Sequence, residues 1–152
     1  MGVWRDAIGG AGITVFTQAH TIKRMTETTT LHVVCLCAAW CRLCDDYAAV
    51  LARVVSEQGR PEAVLRQHWI DIEDEAEMVG DVDVETFPTL VLIGPEGVLF
   101  AGPVAPHADT LRRLLQAAVA GASGPLSPVS AEIRALAQRL RERWALEERV
   151  TR

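Results

Sequence analysis

Four cysteines, Cys35, Cys37, Cys41 and Cys44, fall within a single ten-residue stretch of this chain. Cys41 and Cys44 stand three apart, with Arg42 and Leu43 between them. Residues three apart on a helix are neighbours, with Cβ atoms roughly 5–6 Å apart, and a small adjustment brings two such sulfurs to bonding geometry. The first turn of a helix favours an anion through its macrodipole, and the thiolate is the attacking form of cysteine. Cys44, one turn further in, is placed to attack a mixed disulfide formed at Cys41. The pair is therefore expected to act as a reversible dithiol/disulfide couple.

The other residues with chemistry to offer give weaker signals. Cys35 and Cys37 share one face of an apolar run and are read as core packing, free cysteine being among the most buried residue types. The rival for all four is a Cys-x-Cys-x3-Cys-x2-Cys site for zinc or iron–sulfur, which a strand feeding a helix makes awkward. His20, His32, His68 and His107 are scattered, so no Cys–His nucleophile pair is indicated. From Asp71 to Glu85 there are eight carboxylates and no basic residue. This reads as a solvated connecting helix with Met78 and Val79 turned inward, or else an acidic face that steers partners. No Gly-rich phosphate loop or serine elbow is present.

The elements that must position the pair are legible around it. Leu31 to Ala39 is an apolar run with Val33 and Val34, suited to a buried strand. After a turn carrying Trp40, the residues Leu43, Tyr47, Val50, Leu51, Val54 and Val55 fall at helical spacing. Gln58-Gly59-Arg60-Pro61 ends that pattern, Ala63 to Leu65 is read as a short helical turn, and His68 to Ile72 as the returning strand. Leu90 to Ile93 is a further strand, turned by Gly94-Pro95-Glu96-Gly97 into a hairpin with Val98 to Ala101. Asp109 to Ala120 carries Leu111, Leu114, Leu115 and Val119 at helical spacing.

Past a Gly/Ser/Pro joint at Gly121 to Pro125, Ser127 is expected to cap a helix with Pro128 at its first position. Its stripe of Val129, Ile133, Leu136, Leu140 and Trp144 must be covered, by its own domain or by a second chain or client. At the other end, Ile13 to Phe16 reads as a short strand and Met25 as an alternative start. The expected organisation is a weakly ordered extension over 1–24, an α/β domain over 25–121, and a linker with an amphipathic helix over 122–152.

With these motifs in place, the region resembles the thioredoxin superfamily over about Leu31 to Ala120. The resemblance rests on Trp40-Cys41-Arg42-Leu43-Cys44 after a hydrophobic strand, on Trp69-Ile70-Asp71-Ile72, and on Phe87-Pro88-Thr89 before Leu90 to Ile93. It implies an α/β fold with a mixed central sheet between helices, here with an added C-terminal helix. It also implies a cis-proline at Pro88 against the active-site sulfurs, and substrate contacts from Trp40, Arg42, Leu43, Phe87, Pro88 and Thr89. Departures are specific. Arg42-Leu43 stands where thioredoxins carry Gly-Pro, Cys35 where they carry a buried aspartate, and Ala49 where a proline kinks the helix. A straighter helix is expected from the last.

Composition bounds the rest. The chain has 152 residues, 49% of them hydrophobic, and a net charge of −5, which suits one domain with a real core and argues against general binding of nucleic acid or anionic membranes. No run of 18 apolar residues and no leader pattern is read, and cysteines without a leader favour a reducing compartment, hence a cytoplasmic expectation. The function expected is thiol–disulfide oxidoreduction. Protein disulfides would be reduced through Cys41 and Cys44 without a bound cofactor or metal, with electrons from a thioredoxin-reductase-like partner or glutathione, and the chain would contribute to cell redox homeostasis. The alternative is a binding module that holds a partner through its C-terminal helix.

Overall fold

The computed structural model describes residues 28–120 and 124–152. The expected strand at 13–16, the extension over 1–24 and the start at Met25 lie outside the described residues, as does part of the joint at 121–123.

Four strands form one mixed sheet. β1 (Thr29–Cys37) and β2 (Ala63–Asp71) run parallel, β3 (Thr89–Gly94) runs antiparallel beside β1, and β4 (Gly97–Pro103) pairs antiparallel with β3, in the order β2-β1-β3-β4. β1 is central and covered on both faces, which is why its sequence is continuously apolar instead of alternating. Its odd-numbered residues Leu31, Val33, Cys35 and Cys37 join one core, and Val34 and Leu36 the other.

The first core is closed by α1 (Arg42–Gln58), through Cys44, Tyr47, Leu51, Val54 and Val55, and by α3 (Ala108–Val119), through Leu111, Leu115 and Ala118. α1 runs unbroken for 17 residues across Ala49. The second core is closed by α4 (Ala131–Val150). Its Ile133, Leu136, Ala137, Leu140 and Trp144 lie buried against Val34, Leu36, Ile70, Val91 and Ile93. The apolar stripe of the last helix is thus spent on the chain's own sheet, leaving Leu146 and Val150 exposed beyond it.

Three local expectations are corrected. Ala63 to Leu65 is strand, because it pairs in register with Thr29 to Leu31 of β1, a non-local contact that overrides a short helical pattern. The acidic stretch holds only one helical turn, α2 (Ala76–Val79), followed by coil, with Val79 buried and Met78 partly so. The cap of α4 is Ser130, whose Oγ accepts the Ile133 N–H at 3.2 Å. Ser127 instead binds the edge of β4, accepting the Ala101 N–H at 3.2 Å. An open strand edge offers unpaired backbone groups, and Ser127 meets them before the helix begins.

α4 also clamps the acidic segment. Arg139 donates to the carbonyls of Met78 at 2.8 Å and Val79 at 3.0 Å, closing the C-terminus of α2, and Arg143 pairs with Glu75. Gly80 follows with φ +64°, and a Cβ there would fall 2.6 Å from the Arg139 guanidinium, so both backbone and space require glycine. No described helix is long and apolar enough to cross a membrane.

Candidate active site

The site lies at the end of the central strand, where β1 stops and α1 begins. The Cys41 N–H bonds the Ala38 carbonyl at 3.0 Å, making a tight turn, and Cys41 adopts extended backbone angles as the residue just before α1. Its carbonyl accepts the N–H groups of Cys44 at 3.1 Å and Asp45 at 3.3 Å. This leaves the amides of Arg42 and Leu43 as the open donors of the first turn. Cys41 is 9% exposed while Cys35, Cys37 and Cys44 are all 0% exposed, so of the four cysteines only Cys41 has any surface open to solvent.

All four cysteines are free thiols. Cys35 and Cys37 lie with sulfurs 3.4 Å apart, in the same buried core as Cys41 and Cys44. Among the described residues no three of His, Cys, Asp or Glu are grouped so as to hold a metal ion, and the metal reading of the cysteine spacing finds no geometry to support it.

Burial pushes the Cys44 thiol up, with its bonds to Cys37 and Cys41 adding, while the Ala38 backbone bond works the other way. Cys37 is pushed up as well, by its bond to Cys35 first and by burial second. Both are held protonated at neutral pH.

Around Cys41 the surface is built from three separate segments. Trp40 is 65% exposed; its indole N–H donates to the Glu73 carboxylate at 3.1 Å, and its ring meets Phe87 edge-on with centroids 5.6 Å apart. The Phe87-Pro88 peptide is cis. Pro88 is buried, and its carbonyl accepts the Val104 N–H at 3.1 Å. Thr89 is buried too, its hydroxyl turned back to the Thr86 carbonyl at 2.6 Å, so the side chain is occupied internally. Arg42 and Leu43 are exposed on the first turn of α1. Of the residues singled out from sequence, Trp40, Arg42 and Leu43 are exposed beside Cys41 in the chain, Phe87 is partly buried with its ring against Trp40, and Pro88 and Thr89 are buried.

The family model named Thioredoxin matches residues 13–116. The chain belongs to the thioredoxin family. The chain is also similar, at low identity, to several solved structures. A malarial protein has 18% identity, a TM-score of 0.48, and coverage of 57% of this chain and 94% of its own. The germline-specific thioredoxin Deadhead of Drosophila melanogaster has 18% identity, a TM-score of 0.47, and coverage of 65% and 89%. The Fasciola hepatica thioredoxin has 20% identity, a TM-score of 0.47, and coverage of 66% and 90%. No protein of curated description matches the chain.

Against the thioredoxin pattern, the site departs most where it is buried. Thr89 is the one buried polar residue among those described, so no carboxylate stands in for the aspartate that Cys35 replaces. One contact escaped the sequence reading: Glu73 reaches Trp40 across 33 residues of chain, with no signal beyond an acidic residue after a strand.

Proposed function

We propose that this thioredoxin-family chain is a thiol–disulfide oxidoreductase that reduces protein disulfides. The single observation that carries the proposal is the pairing of Cys41, which keeps some exposed surface, with the fully buried Cys44 at the opening of α1. In the first step the Cys41 thiolate attacks one sulfur of the substrate disulfide, forming a mixed disulfide and releasing the other substrate sulfur as a thiol. Cys44 then loses its proton and attacks the Cys41 sulfur. The second substrate thiol leaves, and the chain retains a Cys41–Cys44 disulfide. Two electrons have passed to the substrate.

Burial supports this division of labour, because a Cys44 held as thiol does not compete for substrate before the mixed disulfide forms. Trp40 and Phe87, braced by Glu73 and Pro88, offer an apolar rim to an extended segment of the substrate protein. Reducing equivalents would return from a thioredoxin-reductase-like partner or from glutathione, in a reducing compartment such as the cytoplasm, where the chain would serve redox homeostasis.

Reduction of insulin disulfides by a chemical reductant is the direct assay. Wild type should accelerate it, Cys41→Ser should remove the acceleration, and Cys44→Ser should accumulate a covalent mixed disulfide visible on a non-reducing gel. Undiminished activity in Cys41→Ser would end the proposal.

A further inference from the structure

The chemistry at Cys41 leaves one side of the last helix unused. α4 packs on the face of the sheet opposite α1, and one flank of it borders the β3–β4 turn and the joint that leads into the helix. Between them lies a groove of about 850 Å³, with an apolar lining from Val98, Pro125, Val129 and Leu146. Its walls are tied in place. The Leu126 N–H bonds the Leu99 carbonyl at 2.5 Å, holding the joint on β4, and Arg141 donates to the Gly94 carbonyl at the turn. Leu146 is 58% exposed here, a large apolar side chain left in water.

Three guanidinium groups line the same groove, those of Arg134, Arg141 and Arg149. They recur on one side of α4 about every two turns, and at a rise of 1.5 Å per residue they span about 22 Å. None of the three has a carboxylate within ion-pair distance among the described residues, whereas Arg53, Arg66, Arg112 and Arg143 each have one. Two carboxylates also line the groove: Glu142, which accepts from the Gln138 amide at 3.3 Å, and Glu96 of the turn. A chain of net charge −5 thus keeps an excess of positive charge at this one groove.

The spacing selects the occupant. A small anion would meet a single guanidinium, since the next lies about 10–12 Å further along the axis. A partner that engages all three carries acidic groups at the same two-turn interval beside apolar ones, which is the pattern of an amphipathic helix laid in a groove. The described residues of a second copy do not supply that helix. Their acidic segment forms only the single turn α2, already held by Arg139 and Arg143 of its own α4.

We propose that this groove docks an acidic amphipathic helix of a partner protein, its carboxylates on Arg134, Arg141 and Arg149 and its apolar side chains against Leu146 and Val98. The groove lies beyond the sheet from α1 and beside the turn that follows β3, at the end of the sheet where β1 begins. A docked partner therefore leaves the Cys41 end uncovered. The inference goes beyond the oxidoreductase reading and does not depend on it.

Fluorescence anisotropy tests it. The probe is a fluorescein-labelled peptide helix with glutamates at heptad spacing and leucines on the adjoining face; the control carries lysines in place of the glutamates. The full chain should bind the acidic probe saturably, more weakly as salt is raised, and should not bind the lysine control. Arg134→Glu/Arg149→Glu should weaken binding at least about tenfold, because both side chains turn repulsive. Leu146→Ser, at an exposed position, should weaken it independently, and it decides the matter if the double charge variant does not fold. Insulin reduction should be unchanged in these variants. The inference is overturned if the acidic probe does not bind, if the lysine control binds equally, or if folded variants retain full binding. It is also overturned if the chain prefers vesicles of phosphatidylglycerol and phosphatidylcholine to the probe, which would make the cationic flank a lipid contact. Failure of the redox reading looks different: probe binding persists while insulin reduction is absent from the wild type.

Discussion

Lowering the pH from 7 to 5 should destabilise this protein through a cluster far from its sulfurs. His32 of β1 and His68 of β2 share a hydrogen bond, Nδ1 to Nε2, at 2.9 Å, and both rings stack on Trp144 of α4. The His32 ring lies only 8° from parallel to the indole, with centroids 3.9 Å apart. Burial, then His68, Arg66 and Arg141, bring the His32 pKa down to about 4 from 6.5, and burial and Arg143 lower that of His68 against the opposing pull of Glu147. The hydrogen bond tolerates one added proton, shared by a donor and an acceptor, but not two.

The sign follows from proton counting. A lowered pKa in the folded state means that the unfolded chain binds more protons between the two values, so stability falls as pH drops from 6.5 toward 4. Taken whole, the His32 shift corresponds to about 3 kcal/mol. The ring is only partly buried, so roughly half of that is expected, with about 1 kcal/mol of it lost between pH 7 and 5. His68 adds in the same direction. A protonated ring on the Trp144 face would regain about 0.5–1 kcal/mol as a cation–π contact, which reduces the loss without reversing it, because desolvation is the largest cause at both histidines. Stopping at pH 5 keeps most carboxylates ionised. The assay is urea unfolding at pH 7 and 5 for wild type and for the double variant His32→Gln/His68→Gln, whose amides keep a hydrogen bond but do not titrate. Wild type should lose about 1 kcal/mol or somewhat more, and the double variant much less. Parallel profiles, or a wild type more stable at pH 5, would refute the reasoning.

Three further outcomes follow from the packing. Leu140→Ala empties a site on α4 that is fully buried against the sheet and should cost about 2–5 kcal/mol by chemical denaturation, with retention of a folded baseline in the cold. Tyr47→Phe removes a buried hydroxyl that has no partner among the described residues; melting temperature should stay level or rise, and a drop of several degrees would reveal a bond to that oxygen. Gly80→Ala should cost about 1–3 kcal/mol, because φ +64° is strained for alanine and the new methyl pushes the Arg139 guanidinium off the carbonyls that it binds.

The Cys41–Cys44 spacing and its setting were readable from the sequence because they are local. A strand, a turn and a helix occupy consecutive residues, and the periods of Val33 to Cys37 and of Cys44 to Val55 depend only on neighbours along the chain. The same holds for the β3–β4 hairpin and for α3. What sequence could not decide was which of two coverings the last helix would take, since an apolar stripe states a need and not a partner.

Tertiary structure settled the remainder, and the physical reason is common to each case. Ala63 to Leu65 became strand because β1 offered backbone bonds in register. Ser130 displaced Ser127 as cap because the edge of β4 claimed the earlier serine. Trp40 found Glu73 because β2 pairs beside β1, the Ile72 N–H meets the Cys37 carbonyl at 2.8 Å, and the Asp71 carboxylate accepts the Glu73 N–H at 2.8 Å. The cysteine cluster is the mixed case: alternation on a strand put Cys35 and Cys37 on one face, and only the docking of α1 on that face brought Cys44 into the same core. Sequence determined the types of chemistry available; contacts between residues distant in the chain determined which groups meet, because burial and pairing energies act on neighbours in space.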